Sequence, residues 1–380
     1  MTPSPRDNDK IDTTGVTNDV LDGSATNDDG ESSSIASSDK ALLEMLGLTS
    51  LNEISTNHDV DENEQAESLR ENHTVEPSRE VRSRLPLLSQ DYLSTVKFLL
   101  YEQYQEKSMC VFPHQYSIPA DHMRKLTEEL IWGGPTVHAD RSYETIQVYK
   151  NGTIEQRRTL TRLENFVDTH PGWKDLCCGY LRQLLSAALG TEMVLFKEKL
   201  NLKPPGGSGF APHLDSPSLR VAMGGHGPQT FCTVMVAIDD ANSKNGCLRI
   251  CKGKWNEANA CTVIQPEQDG NPDAGGRAGA IPSEVADQLD FDDVTCKGGT
   301  IVAFNGWAPH RSGANASPFP RRAVFLTYNP KCEGDFHQKY YQRMEKLRNE
   351  WREKAGLSNQ QKRLDDEKLE QTALSTIPKI

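Results

Sequence analysis

From Met193 to Tyr328 the chain is cut into short apolar runs by proline, glycine and asparagine, a spacing that suits antiparallel strands and little else. Strand candidates fall near 193–203, 230–238, 246–251, 299–304 and 322–328. Helical periodicity comes earlier. Apolar residues repeat through Asp91 to Lys107, Pro119 opens a second run that reaches Trp132, and a third from Trp173 to Leu189 is stopped by Gly190. Helices first and strands afterwards predict a mostly β domain with flanking helices, a double-stranded β-helix or jelly-roll, cupin-like barrel. No internal repeat is visible.

The two ends of the chain differ from this middle. Residues 1–80 hold 19 Asp/Glu against 5 Lys/Arg and no aromatic side chain, a balance of −14. The whole chain is −12, so residues 81–380 come to +2 and the acidity belongs to the head. Such a segment cannot bury enough apolar surface to offset the entropy of ordering it, which makes 1–85 an acidic, mostly disordered head before a domain spanning 86–350. The exception is ALLEMLGLTSLNEI at 41–54, whose apolar side could dock on a partner protein or on the domain itself, or could form a transient helix with no role. After Asp335, Tyr340, Tyr341, Met344, Leu347 and Trp351 should pack one side of a helix, leaving 351–380 as a polar helical or disordered tail.

Composition excludes several function classes. No stretch approaches the ~20 apolar residues of a membrane span, and the first thirty residues lack a basic start with an apolar core. The ending Pro378-Lys379-Ile380 is not an SKL-type peroxisomal address, so the expected location is cytoplasmic. The nearly neutral 81–380 region shows no basic stripe, which argues against nucleic acid as partner or substrate. Nine cysteines show no paired spacing with histidine for zinc, and are expected as thiols. The Asn-x-Ser/Thr tripeptides at Asn72, Asn151 and Asn315 are then incidental.

The chemistry-bearing residues cluster in the strand region. His213 and Asp215 stand two apart in HLD, and a strand there would send both to one side while Leu214 points away. With His310 from a distant strand they make two neutral nitrogens and one hard oxygen, a donor set for mononuclear Fe(II) with positions left open. Arg321 follows eleven residues after His310. In a strand, Arg321 and Arg322 face opposite sides, so only one can enter a barrel. Lys197, Lys199, Asn201 and Lys203 share one face by alternation, either lining an interior or forming a solvated row on an edge strand. Arg220 and His226 are open between substrate contact and plain surface, and Trp307 between a pocket wall and core filling. The polar stretch from Asn256 to Asp293 is long for a loop inside a domain, as a lid or a disordered insertion would be.

Several phrases carry a resemblance: KEKLNLKPPGGSGFAPHLDSPSL at 197–219, NGCLRICKGKW at 245–255, GGTIVAFNGWAPHRSGANASPFPRRAVFLTYNP at 298–330 and GDFHQKYY at 334–341. Together they resemble the phytanoyl-CoA dioxygenase family of Fe(II)/2-oxoglutarate-dependent oxygenases, from about Tyr92 to about Arg348. The phrasing is most similar to members that hydroxylate small amino- or ammonium-phosphonates. The resemblance implies that His213, Asp215 and His310 ligate Fe(2+), that Arg321 pairs with the distal carboxylate of 2-oxoglutarate, and that Ser312 contacts the same carboxylate. It further implies a polar residue of the 197–203 strand, here Lys199, at the cosubstrate. Halogenating relatives lack the carboxylate, and Asp215 is present. The implied reaction consumes O2 and 2-oxoglutarate, releases succinate and CO2, and hydroxylates a C–H bond of a small molecule carrying an anionic group. The alternative of another class is a noncatalytic barrel serving as a sensor or interaction protein.

Overall fold

The computed structural model describes residues 85, 88–133, 137–150, 153–264 and 278–354. The acidic head, its 41–54 segment, the middle of the 256–293 stretch and the tail beyond Lys354 lie outside these residues.

Three longer helical segments precede Met193 among the described residues, with strands between them. Helix α1 (Gln90–Lys107) is capped by the Ser89 hydroxyl, which accepts the Tyr92 N–H, and buries Val96, Leu100 and Tyr104. Helix α2 (Ala120–Trp132) follows Pro119 and buries Met123, Leu126, Leu130 and Ile131. The run expected over 173–189 is composite. A turn at Pro171–Lys174 leads into a π-helical stretch, Asp175–Leu181, before α3 (Arg182–Leu189) ends at Gly190 with φ 68°. That left-handed closure is one that glycine adopts without a Cβ penalty.

Among the described residues all the strand pairs are antiparallel and build two sheets. The larger runs β1 (Met109–Val111), β9 (Ile301–Asn305), β6 (Cys232–Ala237), β11 (Arg321–Pro330), β4 (Met193–Lys203), β3 (Thr153–Glu164), β2 (Asp140–Lys150). The smaller runs β5 (Phe210–His213), β10 (His310–Ser312), β7 (Leu248–Cys251), β8 (Phe291–Asp293). Facing sheets of this kind, with helices outside the larger one, form the double-stranded β-helix expected from the strand order. Alternation on β6 shows the layering: Val234 and Val236 join the helix-side core, while Met235 and Ala237 join Leu248, Ile250, Val302 and Phe304 between the sheets.

Two features depart from the sequence reading. The β2–β3 hairpin was missed, although Asn151-Gly152, a strong hairpin signal, lies between its strands. And β4 is a central strand between β11 and β3, not an edge, so its lysines are not a solvated row. On β4, Lys197 pairs with Thr327 and Leu195 with Tyr328, leaving Phe196 as the extra residue of a bulge. Leu195 therefore packs in the helix-side core, whereas Lys197 faces between the sheets.

The C-terminal helix α5 (His337–Lys354) packs on the outer side of β4 and beside α4 (Asp215–Ala222). Its Tyr340 and Tyr341 join Phe196, Leu219, Met223 and Phe231 in one apolar cluster. Beneath it Glu198 is fully buried and fully partnered. One carboxylate oxygen accepts the N–H groups of Phe166 (2.8 Å) and Val167 (3.0 Å), and the other meets His337 Nε2 at 2.7 Å. Burial lowers the His337 imidazole, but Glu198, then Asp168 and Asp335, outweigh it and raise its pKa.

Candidate active site

Three side chains converge inside the sheets. His213 ends β5 and His310 opens β10, and the strands pair with these two residues opposite one another, so the imidazole centroids are 4.1 Å apart. Asp215 departs from the sequence expectation: it is the first residue of α4, not part of a strand. The convergence survives because Leu214, the N-cap, keeps an extended backbone (φ −113°, ψ 140°). Leu214 points away, fully buried with Ala260, Ile281, Ala286 and Trp307. A carboxylate in the first turn also suits the positive end of the helix dipole.

Donor atoms of His213, Asp215 and His310 lie within 4.8 Å of one another, an arrangement that can hold one metal ion. Asp215 Oδ1 is 3.9 Å from His213 Nε2 and 3.7 Å from His310 Nε2. Both imidazoles are oriented from behind, His213 Nδ1–H donating to the Ala211 carbonyl (2.7 Å) and His310 Nδ1–H to that of Ala308 (3.1 Å). Each Nε2 is thereby left as a lone pair facing inward. Asp215 Oδ2 accepts from the Thr233 hydroxyl at 2.7 Å, which leaves Oδ1 for an ion. Burial, then the neighbouring His310, lower the His213 pKa to about 3. Burial raises the Asp215 carboxyl, but His310, His213, Lys199 and the Thr233 hydroxyl outweigh it and bring it to about 2. Both groups are ready as ligands at neutral pH.

The same cavity is walled by Lys197, Lys199 and Asn201 of β4, Ser312 of β10, and Arg321, Phe325 and Thr327 of β11. Arg321 and Arg322 do face opposite sides. Arg322 grips Asp239 through two nitrogens (2.8 and 2.9 Å), and its backbone N–H adds a third bond. Arg321, 3% exposed, donates Nη2 to the Gly246 carbonyl, while its Nε is buried with no partner. Asn201 Oδ1 is likewise buried and unpartnered. The Ser312 hydroxyl oxygen accepts from Lys203 Nζ (2.9 Å) and the Phe210 N–H (3.2 Å), so its own proton is available to a further acceptor.

The four polar residues of β4 divide. Lys203 spends its donors on Ser312 Oγ and the Gly313 and Gly246 carbonyls, and burial, then nearby Arg321, lower its pKa to about 7. Lys199 lines the cavity beside the metal-ligand candidates, its pKa brought to about 8 by burial, then by Lys197 and Arg162. Lys197 is penalised by burial, but Tyr340, Glu164 and Asp215 outweigh that and lift its pKa to about 12. Other candidates are placed elsewhere. Arg220 pairs with Glu257 (2.6 Å) and stacks over Trp307, neither it nor His226 lines the cavity, and Trp307 fills the Leu214 cluster. Described parts of the 256–293 stretch reach the site, where Ala280 bridges His213 and the Gly279 carbonyl accepts the Leu214 N–H. Asn315, fully buried, donates to the Lys203 and Phe319 carbonyls, a structural use of that side chain. Thr233 and Tyr340 are the residues that sequence reasoning missed. Thr233 lay within a strand candidate but carried no motif.

The barrel, two imidazoles and one carboxylate at its interior, and an arginine deeper in the same cavity define an Fe(II)/2-oxoglutarate-dependent dioxygenase. The chain belongs to the phytanoyl-CoA dioxygenase family, whose profile matches residues 121–323. It is 38% identical over 197 residues to a 2-aminoethylphosphonate dioxygenase of the uncultured bacterium HF130_AEPn_1, covering 52% of this chain and 69% of the relative. Over 181 residues it is 32% identical to a methylphosphonate hydroxylase of Gimesia maris, covering 47% of this chain and 62% of the relative. Among solved structures, EctD from S. alaskensis superposes with a TM-score of 0.43 at 17% identity, covering 66% of this chain and 82% of that one. No helix among the described residues is long and apolar enough to cross a membrane.

Proposed function

We propose that this protein hydroxylates a C–H bond of a small molecule bearing an anionic group, a phosphonate or a close relative, in the cytoplasm. The balance is substrate C–H plus O2 plus 2-oxoglutarate giving substrate C–OH, succinate and CO2. The observation that carries this reading is one cavity in which a two-imidazole, one-carboxylate set and a buried, half-partnered arginine face the same interior.

His213, Asp215 and His310 would hold the iron. When bound with 2-oxoglutarate, it supplies the O2 activation that no protein side chain can provide. Arg321 would take the distal carboxylate of 2-oxoglutarate through the Nε edge that now has no partner, since a guanidinium fork matches a carboxylate and stays charged at any working pH. Ser312 would add its free hydroxyl proton to the same carboxylate. Lys199, whose charge acts on both His213 and Asp215, would face the metal-proximal end of the cosubstrate. Phe325 and Leu248 supply apolar wall beside these charges and limit water. The relatives that act on 2-aminoethylphosphonate and methylphosphonate support the anionic substrate class.

The test is succinate release by Fe(II)-loaded protein with 2-aminoethylphosphonate, methylphosphonate and a wider metabolite panel. Substrate-stimulated turnover that needs iron is expected. Failure to bind or consume 2-oxoglutarate with any compound, in protein with intact His213, would overturn the reading.

A further inference from the structure

The cavity wall carries more positive charge than iron and 2-oxoglutarate can use. Lys197, Lys199 and Arg321 bring three positive charges to it against the single carboxylate of Asp215, while the Arg311 guanidinium turns to the Phe291 ring at 4.3 Å. A divalent ion and a dianionic cosubstrate cancel one another and leave that excess standing. Glu164 opposes the two lysines, but Arg162 reinforces Lys199. Once a cation sits on Asp215, Lys197 also loses one of the negative charges that face it in the structure. Charge left over in a cavity screened from water calls for an anion.

Strand register shows where that anion belongs. Along the β4–β11 pair, Arg321 is opposite Lys203, Ala323 opposite Asn201, Phe325 opposite Lys199 and Thr327 opposite Lys197. Thr233, which holds Asp215, is the β6 partner of Thr327. Lys197 therefore stands at the level of the metal carboxylate, three inward-facing positions along from the arginine end. A cosubstrate stretched between Arg321 and the metal leaves Lys197 to the other reactant.

Lys197 is held in place from outside the barrel. Its ammonium lies 3.5 Å from the Tyr340 hydroxyl and 5.5 Å from the Tyr340 ring centroid. Tyr340 is fixed by packing on Phe196 at 4.9 Å and on Tyr341 at 5.1 Å. Tyr341 is fixed in turn, its hydroxyl accepting the Glu198 N–H and donating to the Glu198 carbonyl. Because the Tyr340 oxygen accepts from Lys197, its own proton remains to be donated.

We propose that Lys197 forms the anion-binding end of the substrate site, with Tyr340 of the C-terminal helix positioning it from outside the barrel. This rests on the hydroxylase reading above. Lys197 presents its ammonium to the anionic group at the level of the metal carboxylate, away from the cosubstrate arginine, and Tyr340 holds it there. A compound with the same carbon skeleton and a neutral head would leave Lys197 with Glu164 alone to oppose its charge once a cation sits on Asp215.

Calorimetric titration of 2-aminoethylphosphonate and methylphosphonate into the full chain, loaded with Fe(II) and 2-oxoglutarate without oxygen, tests this. Lys197→Met should weaken binding of the phosphonate by about 10- to 100-fold, the loss expected of a charge-assisted hydrogen bond. Tyr340→Phe should weaken it several-fold and Lys197→Arg should recover most of the loss, while 2-oxoglutarate affinity changes far less in all three. Unchanged phosphonate binding in Lys197→Met would overturn the proposal, as would an equal loss of 2-oxoglutarate, which would put the lysine at the cosubstrate. If wild-type protein consumes 2-oxoglutarate but binds neither phosphonate, the anion site falls and the dioxygenase reading stands. If it does not bind 2-oxoglutarate, the dioxygenase reading falls first. Full phosphonate affinity with Tyr340→Phe would remove the helix from the site and leave the lysine alone.

Discussion

Arg321 and Arg322 are neighbours in sequence, equally buried and opposite in meaning. Arg322 meets Asp239 through three hydrogen bonds and is complete within the protein, whereas Arg321 keeps a buried Nε with nothing to bind. β4 repeats the contrast across its two faces. Glu198, on the outer face, is satisfied by two backbone N–H groups and His337, while the inner face gathers lysines with too few carboxylates. A buried charge that the chain itself completes belongs to the architecture. One that it leaves incomplete marks where a ligand is to go.

The sharpest way to break this comparison is to remove a side chain proposed to hold the metal. Asp215→Ala or His310→Ala should reduce succinate formation to background and abolish stoichiometric Fe(II) binding, as read by metal analysis after desalting, with the fold retained. The arginine pair comes next. Arg321→Met should cut kcat/KM for 2-oxoglutarate by about 100-fold or more while leaving Tm nearly unchanged, because no internal ion pair is lost. Arg322→Met should behave in reverse, losing about 1.5–3 kcal/mol of stability because Asp239 keeps only Arg124 (3.3 Å) and the backbone N–H of residue 322, while the folded fraction keeps its 2-oxoglutarate affinity. If both variants lost the same property, the distinction drawn between them would collapse.

Smaller effects sharpen the picture. Thr233→Val frees Asp215 Oδ2 and should weaken Fe(II) binding by about 10- to 100-fold in a competition titration, with Thr233→Ser restoring it. Lys199→Met should raise Tm at pH 7. Burial lowers the pKa of this lysine from 10.5 to about 8, so its protonated form costs stability below pH 8. As pH rises from about 8 through 10.5 the unfolded chain binds more protons than the folded one, stability increases, and the advantage of the methionine variant should fade over that window. A Tm gain that stays constant to pH 11 would show that the lysine is not buried as a charge.

How much of this was legible from the chain follows the same division. Strands β4 and β11, the paired histidines, Asp215 and the opposed arginines could be read because alternation and spacing are local properties. Asp215 was placed on the right side for a partly wrong reason: Leu214 is extended, but the strand stops there and a helix begins. Lys197, Lys199 and Lys203 looked equivalent in a period-two pattern. Only their three-dimensional partners separate them, Tyr340 from over a hundred residues away for one and the Ser312 and Gly313 loop for another. Thr233 had no local signal and Tyr340 was legible only as a residue packing a helix, since each acts at the site through a contact that folding alone creates.

The bulge at Phe196 has a consequence for how such a chain can evolve. Because the extra residue lets Leu195 face the helices and Lys197 the cavity although they stand two apart, a deletion that removes Phe196 would make those two neighbours and leave every later side chain on its present face. Its cost would be the Phe196 ring, lost from the cluster with Phe231 and Tyr340. A one-residue deletion between Lys197 and Lys203 has no such slack, since it would move several side chains to the opposite face at once.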